Sequence, residues 1–508
     1  MTKGARMRRI GSAKERMTSA YPPVIPMVSR ATDTHAAVAE SSLSVPSTLS
    51  AGARVHMIGA GGCGMRGAAA VLLRRGAVVS GSDSQASDAL ADLQARGASI
   101  HIGQEGCTLP EQCDLVVRSA AVKMDHPDVI EAQRRGWPVI KYAELLGLLM
   151  ADRAGIAVAG THGKSTTTAM MAYVLRRAGL DPSFVIGANV AQLGGGSGVG
   201  DGDFFVVEAC EYDRSFLNLA PRLACILNVE EDHLDYYRNL DEIVDAFRCF
   251  ASRVRPDGLL VVNAENRQAL RAASAVACDV ETYGFEGSVN WKAQILGEQR
   301  GCCHFRVDHD GHALLEVRLR IPGRHNVANA LAVIALCVRA GVEPEAVASA
   351  LADFAGVERR MTWRGCKGGV NVVDDYAHHP TELQVTIKAA REYYRPGKLY
   401  VVFQPHQHSR TRFLINDFAR SFSSADVVVV PDIYFVRDSE AERDLIDARD
   451  LVARIRTHGG EASYEPDFGA IVELLAARLQ RGDLVLTMGA GDVWRIADRL
   501  LTRLGRGG

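Results

Sequence analysis

The sequence predicts an α/β protein of three domains, and three observations carry that prediction. The apolar run Arg54-Val55-His56-Met57-Ile58 empties into the glycine turn Gly59-Ala60-Gly61-Gly62-Cys63-Gly64. A second short run, Ile156-Ala157-Val158-Ala159, empties into Gly160-Thr161-His162-Gly163-Lys164-Ser165-Thr166. Beyond residue 362, strand-like runs alternate with helical stretches at regular spacing, the pattern of a doubly wound sheet. A length of 508 residues suits roughly three domains.

Residues 1–50 differ in kind. They are rich in Ser, Ala, Thr and Pro and open with Lys3, Arg6, Arg8, Arg9, Lys14 and Arg16. The apolar core of a secretory signal is missing, so a disordered extension is expected. Met7, Met17 and Met27 are alternative starts.

Lys and Arg (58) nearly balance Asp and Glu (60), so no global field draws the chain to nucleic acid or a membrane. Eleven cysteines without paired short spacings read as reduced thiols, which points to the cytoplasm. No run approaches the ~20 apolar residues of a membrane span.

The first domain, 51–152, is Rossmann-like: strand, glycine turn and helix in order, then Asp83 ending a second strand. Gly59, Gly61, Gly62 and Gly64 would cradle a diphosphate, with Asp83 and Ser119 beside it. The same turn serves any diphosphate laid on a helix N-terminus.

The second domain, 153–360, opens on the phosphate turn. Gly160 and Gly163 let backbone amides converge on anionic oxygens, with Thr161, His162 and Thr166 around them. Lys164 would meet the outer phosphates and Ser165 a magnesium ion, so ATP binding is predicted. The usual P-loop has another glycine where this chain has Val158, so the match is to a shortened variant.

Strands at 204–207 and 224–228 deliver Glu208 and the segment Asp232-His233-Leu234-Asp235 to the same sheet edge, where metal ligands collect. Glu208 suits magnesium, and His233 a second cation or a phosphate oxygen. Cys210 is expected to be packing. Alternation over 285–322 predicts antiparallel hairpins, followed by an alanine-rich helix.

The third domain, 361–508, is again Rossmann-like, with strands at 370–373, 399–403, 427–430 and 484–486. The first ends at Asp374-Asp375-Tyr376-Ala377-His378-His379-Pro380. Adjacent histidines could be a zinc site, but no Cys or His stands nearby at partner spacing. Gln404-Pro405-His406-Gln407-His408-Ser409-Arg410-Thr411-Arg412 reads as an anchor for a carboxylate, which arginine grips bidentately.

From Val55 to Leu500 the chain resembles the Mur ligases of peptidoglycan synthesis. The motifs are those of residues 59–65, 160–167, 208–212, 232–235, 325–329 and 374–382. The resemblance implies that the first domain holds the UDP of a UDP-sugar rather than NAD. It implies that Lys164, Ser165, Glu208 and His233 assemble ATP and magnesium, with Asn326, Asn329 and Asp374 near the nucleotide. It also implies that His379 and Arg410 lie near the incoming amino acid, with His379 the candidate base.

Within the family, the branch joining L-alanine to UDP-N-acetylmuramate fits best. Later-acting members resemble one another in a lysine about fourteen residues after the histidine of Asp-His-Leu-Asp, and here that position is Phe247. One departure is that Gln407-His408 stands where the family usually shows Arg-Tyr. A monomer or homodimer is expected.

Competing readings remain: a relative that reattaches a recycled tripeptide, or a folate-polyglutamating ligase, which should lack the first domain. An NAD-dependent dehydrogenase or a nucleotide-sensing protein fits the Gly59 turn alone.

Overall fold

The computed structural model describes residues 49, 51–103, 107–299, 302–436 and 438–505. The expected N-terminal extension lies outside them, apart from Leu49. The described chain forms three sheets, with helices between the strands.

The first sheet is parallel and runs β3 (Ser99–Ile102), β2 (Val78–Asp83), β1 (Arg54–Ile58), β4 (Leu115–Arg118), β5 (Val139–Lys141). The order reverses at β1, so the crevice lies over the C-terminal end of β1, where the glycine turn stands.

The second sheet has ten strands. At its centre β6 (Ala154–Ala159) pairs with β9 (Phe204–Ala209) on one side and β10 (Leu223–Ile226) on the other, all parallel. Beyond β9 lie β7 (Ser183–Val185) and the short antiparallel edge β8 (Ser197–Gly198). Beyond β10 lie β11 (Leu259–Asn263) and β12 (Asp279–Gly284). The predicted hairpins are the meander β13 (Trp291–Gln299), β14 (Cys302–His309), β15 (His312–Leu319). β13 joins β12 in parallel, so the meander extends the nucleotide sheet.

The third sheet runs β16 (Thr362–Lys367), β17 (Val370–Asp375), β21 (Leu484–Met488), β18 (Leu399–Phe403), β19 (Val427–Val430), β20 (Ala462–Tyr464). Only the edge strand β16 is antiparallel. Central strands are apolar throughout because helices cover both faces: β6, β10, β18 and β21 are buried almost end to end. No helix among the described residues is long and apolar enough to cross a membrane.

The first sheet is fastened to the second by close backbone approach. Lys141 pairs with Asp213 at 2.6 Å. A Cβ at Gly147 would overlap the Asn218 carbonyl oxygen, which is backbone and cannot swing aside. We predict that Gly147→Ala destabilises the protein by about 1–3 kcal/mol, read as a lower denaturant midpoint. An unchanged midpoint would show that this contact tolerates extra volume.

Candidate active site

The phosphate turn leaves β6 between two parallel neighbours. Gly160 (φ +153°) and Gly163 (φ +83°) occupy backbone regions that side chains rarely adopt, and a Cβ at 163 would stand 2.8 Å from Asn329 Oδ1. Asn228 pins the turn: its carbonyl accepts from Thr161 N at 3.0 Å and its Oδ1 from His162 N at 2.7 Å. The helix Lys164–Arg177 then starts with no side-chain cap, so its first amides face the cleft. Ser165 and Thr166 lie in that first turn.

Lys164 Nζ donates to the carbonyls of Gly160 (2.6 Å) and Thr161 (3.0 Å), and to Glu211 Oε1 (2.9 Å). Glu211 is 2% exposed, and His233 Nε2 lies 3.5 Å from the same oxygen. Despite burial, Lys164 and His233 hold the Glu211 carboxyl below its usual range. Sequence reasoning passed over Glu211, although it follows Glu208 by three residues past the end of β9. Glu208 accepts from Gly187 N at 2.8 Å through Oε1. Glu208 and the Ser165 hydroxyl carry oxygen donors, the kind a hard cation takes. Cys210, expected to be packing, is exposed.

The third domain meets this centre through the segment after β10. Thr381 Oγ1 donates to Glu230 at 2.6 Å, His379 Nε2 to the Glu231 carbonyl at 2.9 Å, and Arg410 to Asp232 at 2.8 and 3.1 Å. His162 lies between Glu230 (3.4 Å) and Glu382 (3.5 Å). Burial opposes charge on its ring, but the two carboxylates outweigh burial and raise His162 to about 9. Glu230 is held down to about 2 by the hydrogen bond and charge of His162, against burial. Ligand atoms of His162, Glu230 and His379 gather within 4.8 Å, a grouping assembled from distant segments and so invisible to spacing. Both His379 nitrogens are engaged by Glu231 and Thr381, and Glu230 by Thr381, so a charged His162 between two carboxylates accounts for the cluster.

His379 has both ring nitrogens engaged: Nε2 with Glu231, and Nδ1 accepting from Thr381 N at 3.3 Å as a helix cap. Its neighbour His378 faces the His406 ring at 5.9 Å, and Arg410 Nη1 stands 3.4 Å from His406 Nδ1. His378 Nδ1 donates to the Tyr376 carbonyl at 3.1 Å and lies 3.4 Å from Glu382, and among the described residues its Nε2 has no hydrogen-bond partner. Burial lowers His378 to about 4, so its ring is neutral at pH 7.

Between the two domains lies a cavity of about 150 Å³ lined by His162, Asn326, Asn329, Arg360, Asp375 and Thr386. Asp374, expected near the nucleotide, instead points into the sheet. It is fully buried, accepts from Thr487 Oγ1 at 2.7 Å and pairs with Arg359 at 2.9 Å. Alternation along β17 turns Asp375 to the cavity instead, and burial pushes its carboxyl up to about 6.

In the first domain Gly59 (φ +78°) packs against Ser119, whose Oγ would lie 2.7 Å from a Cβ there. Asp83 Oδ2 accepts from Gly61 N at 2.7 Å, so this acid shapes the glycine turn. Gly62 precedes the helix Cys63–Arg74, and Gly64 allows Tyr142 to pack on that helix.

Three family models match in order: "Mur ligase family, catalytic domain" over 54–154, "Mur ligase middle domain" over 158–337, and "Mur ligase, glutamate ligase domain" over 359–491. The UDP-N-acetylmuramate–L-alanine ligase of Caldanaerobacter subterraneus subsp. tengcongensis is 41% identical over 451 residues, 88% of this chain and 97% of the relative. That of Acetivibrio thermocellus is 39% identical over 450 residues, 88% and 95% of the two chains. Among solved structures, the Thermotoga maritima UDP-N-acetylmuramate–alanine ligase superposes with a TM-score of 0.75 at 28% identity, covering 90% of this chain and 100% of that one. A murein peptide ligase from Psychrobacter arcticus gives 0.67 at 27%, covering 89% and 99%. With the three family models matched in order over most of the described residues and relatives 41% and 39% identical over 88% of the chain, this protein belongs to the Mur ligase family.

Proposed function

We propose that this chain joins L-alanine to the lactyl carboxylate of UDP-N-acetylmuramate, consuming ATP and releasing ADP and phosphate. One observation carries the reading: the chain matches alanine-adding ligases along nearly their full length, at 41% identity in the first case. The three domains, 51–152, 153–360 and 361–508, would divide the work among UDP-sugar, ATP and amino acid.

A carboxylate is a poor electrophile, so it is first activated by the γ-phosphoryl of ATP to an acyl phosphate. The amine then attacks, and the tetrahedral intermediate expels phosphate. The first-domain glycine turn receives the UDP diphosphate. ATP lies with its phosphates on residues 160–166 and its nucleoside toward Asn326, Asn329 and Asp375. Lys164 offsets charge on the transferring phosphoryl, where positioning and electrostatics do most of the catalytic work. Ser165, Glu208 and His233 would hold magnesium, which when bound neutralises phosphate charge.

Arg410 keeps donors beyond those spent on Asp232 and serves the alanine carboxylate. His378 is the better placed base for the ammonium proton, since its Nε2 is open and both nitrogens of His379 are engaged. Ten described cysteines are unpaired thiols, which supports the cytoplasm as the site of reaction. The assembly is proposed as a monomer or homodimer.

Phosphate release with UDP-N-acetylmuramate and ATP, supplied in turn with alanine, glycine, serine and a tripeptide, tests the function. Alanine should dominate. Preference for the tripeptide would move the chain to the recycling reaction, and no release with any amine would refute the ligase reading.

His378→Gln should remove the acid-side limb of the kcat–pH profile, where the ring would protonate, and lower kcat by about 10²-fold or more. His379→Gln should act mainly through weaker domain docking, seen in KM. The reverse pattern would return the base to His379.

His162 titrates near 6.5 when unfolded and about 9 here, so its ion pairs contribute fully below 6.5 and are lost as pH rises through 9. The Glu230 and Glu382 carboxylates must also be ionised, which sets the lower edge near 4.5. The stability gap between wild type and His162→Gln, from denaturant titrations, should therefore be full at pH 6 and small at pH 9.5. A gap that does not change with pH would mean the ring is uncharged.

A further inference from the structure

Glu211 takes no part in the chemistry above, yet it lies at the centre of the cleft. We infer that Glu211 is a positioning residue for phosphoryl transfer, holding the Lys164 ammonium and the His233 ring in one arrangement over the phosphate turn. The inference rests on the ligase reading.

The geometry is specific to this carboxylate. Both its oxygens lie against Lys164 Nζ, at 2.9 and 2.8 Å, and His233 Nε2 is 3.5 Å away. A lysine ammonium is a point charge on a flexible stem, so its direction must be set by what it meets. The Gly160 and Thr161 carbonyls fix it from one side, and Glu211 fixes it from the other.

Glu211 is itself held firmly. Its carbonyl accepts from Tyr237 Oη at 2.5 Å. Two and three residues on, Asp213 and Arg214 have φ of +53° and +52°, a strained pair anchored by Lys141 at 2.6 Å and Glu242 at 3.1 Å. His233 has φ +54°. Such conformations persist where the surroundings over-determine them, and the one at His233 accompanies a ring aimed at the buried acid. Glu208, by contrast, spends an oxygen on Gly187 N and, among the described residues, makes no hydrogen bond or ion pair with Lys164 or His233, acting on Lys164 only through its charge at longer range. The two acids of Glu-Ala-Cys-Glu therefore have different tasks: Glu208 would face the cation, and Glu211 sets the Lys164 ammonium and the His233 ring.

The test compares Glu211→Gln and Glu211→Asp with wild type in phosphate release, alongside circular dichroism and thermal melting. The Gln variant keeps the shape and loses the charge. Its kcat should fall about 10–100-fold, with KM for the UDP-sugar unchanged and half-saturating magnesium raised. The Asp variant should recover part of the loss. Unchanged kcat in the Gln variant overturns the inference, as does equal inactivity of both variants that tracks a lowered melting temperature. Should wild type itself release no phosphate, the ligase reading falls, and calorimetric binding of ATP with magnesium still decides about Glu211. Weaker binding by Gln but not Asp upholds the assignment, and equal binding by all three overturns it.

Discussion

The segment Asn228–His233 is the constraint on which the rest of the cleft depends. It leaves the central strand β10, and nearly every residue holds something different. Asn228 pins the phosphate turn, Glu230 takes Thr381 and His162, the Glu231 carbonyl takes His379, and Asp232 takes Arg410. His233 turns back to Glu211. Six residues thus join the phosphate site to the third domain.

These contacts are largely ionic and largely buried. A buried charge is costly unless it is paired, so each pair holds its surroundings in place more than it adds net stability. The cleft meets this requirement by matching Lys164 with Glu211, Arg410 with Asp232, and His162 with Glu230 and Glu382. Backbone strain concentrates in the same place. Among the described residues, Asp213, Arg214, His233, Arg359, Met361 and Gln407 are non-glycine positions with positive φ that border the cleft. Each costs on the order of 1–3 kcal/mol and must be held by its neighbours.

That a reactive acyl phosphate would form here gives such rigidity a purpose. Water must be kept from the intermediate, and the third domain covers the phosphate turn through His379, Thr381 and Glu382. His162 of the phosphate turn lies 3.5 Å from Glu382, so the turn and the domain that covers it share one ionic network.

Local signals in the chain determined the three α/β units, the glycine turns at 59–64 and 160–163, and the meander over 291–319. Each depends on residues adjacent in sequence: an apolar run, a glycine that permits an unusual φ, or a period of two. Tertiary structure alone decided which side chains meet. It paired Lys164 with Glu211, turned Asp375 rather than Asp374 to the cavity, and brought His378 rather than His379 to His406. Neighbouring residues on a strand or turn face opposite ways, so a motif narrows a site to two candidates. The choice falls to strand register and to partners more than a hundred residues away, as with His162 and Glu382, which no spacing rule can reach.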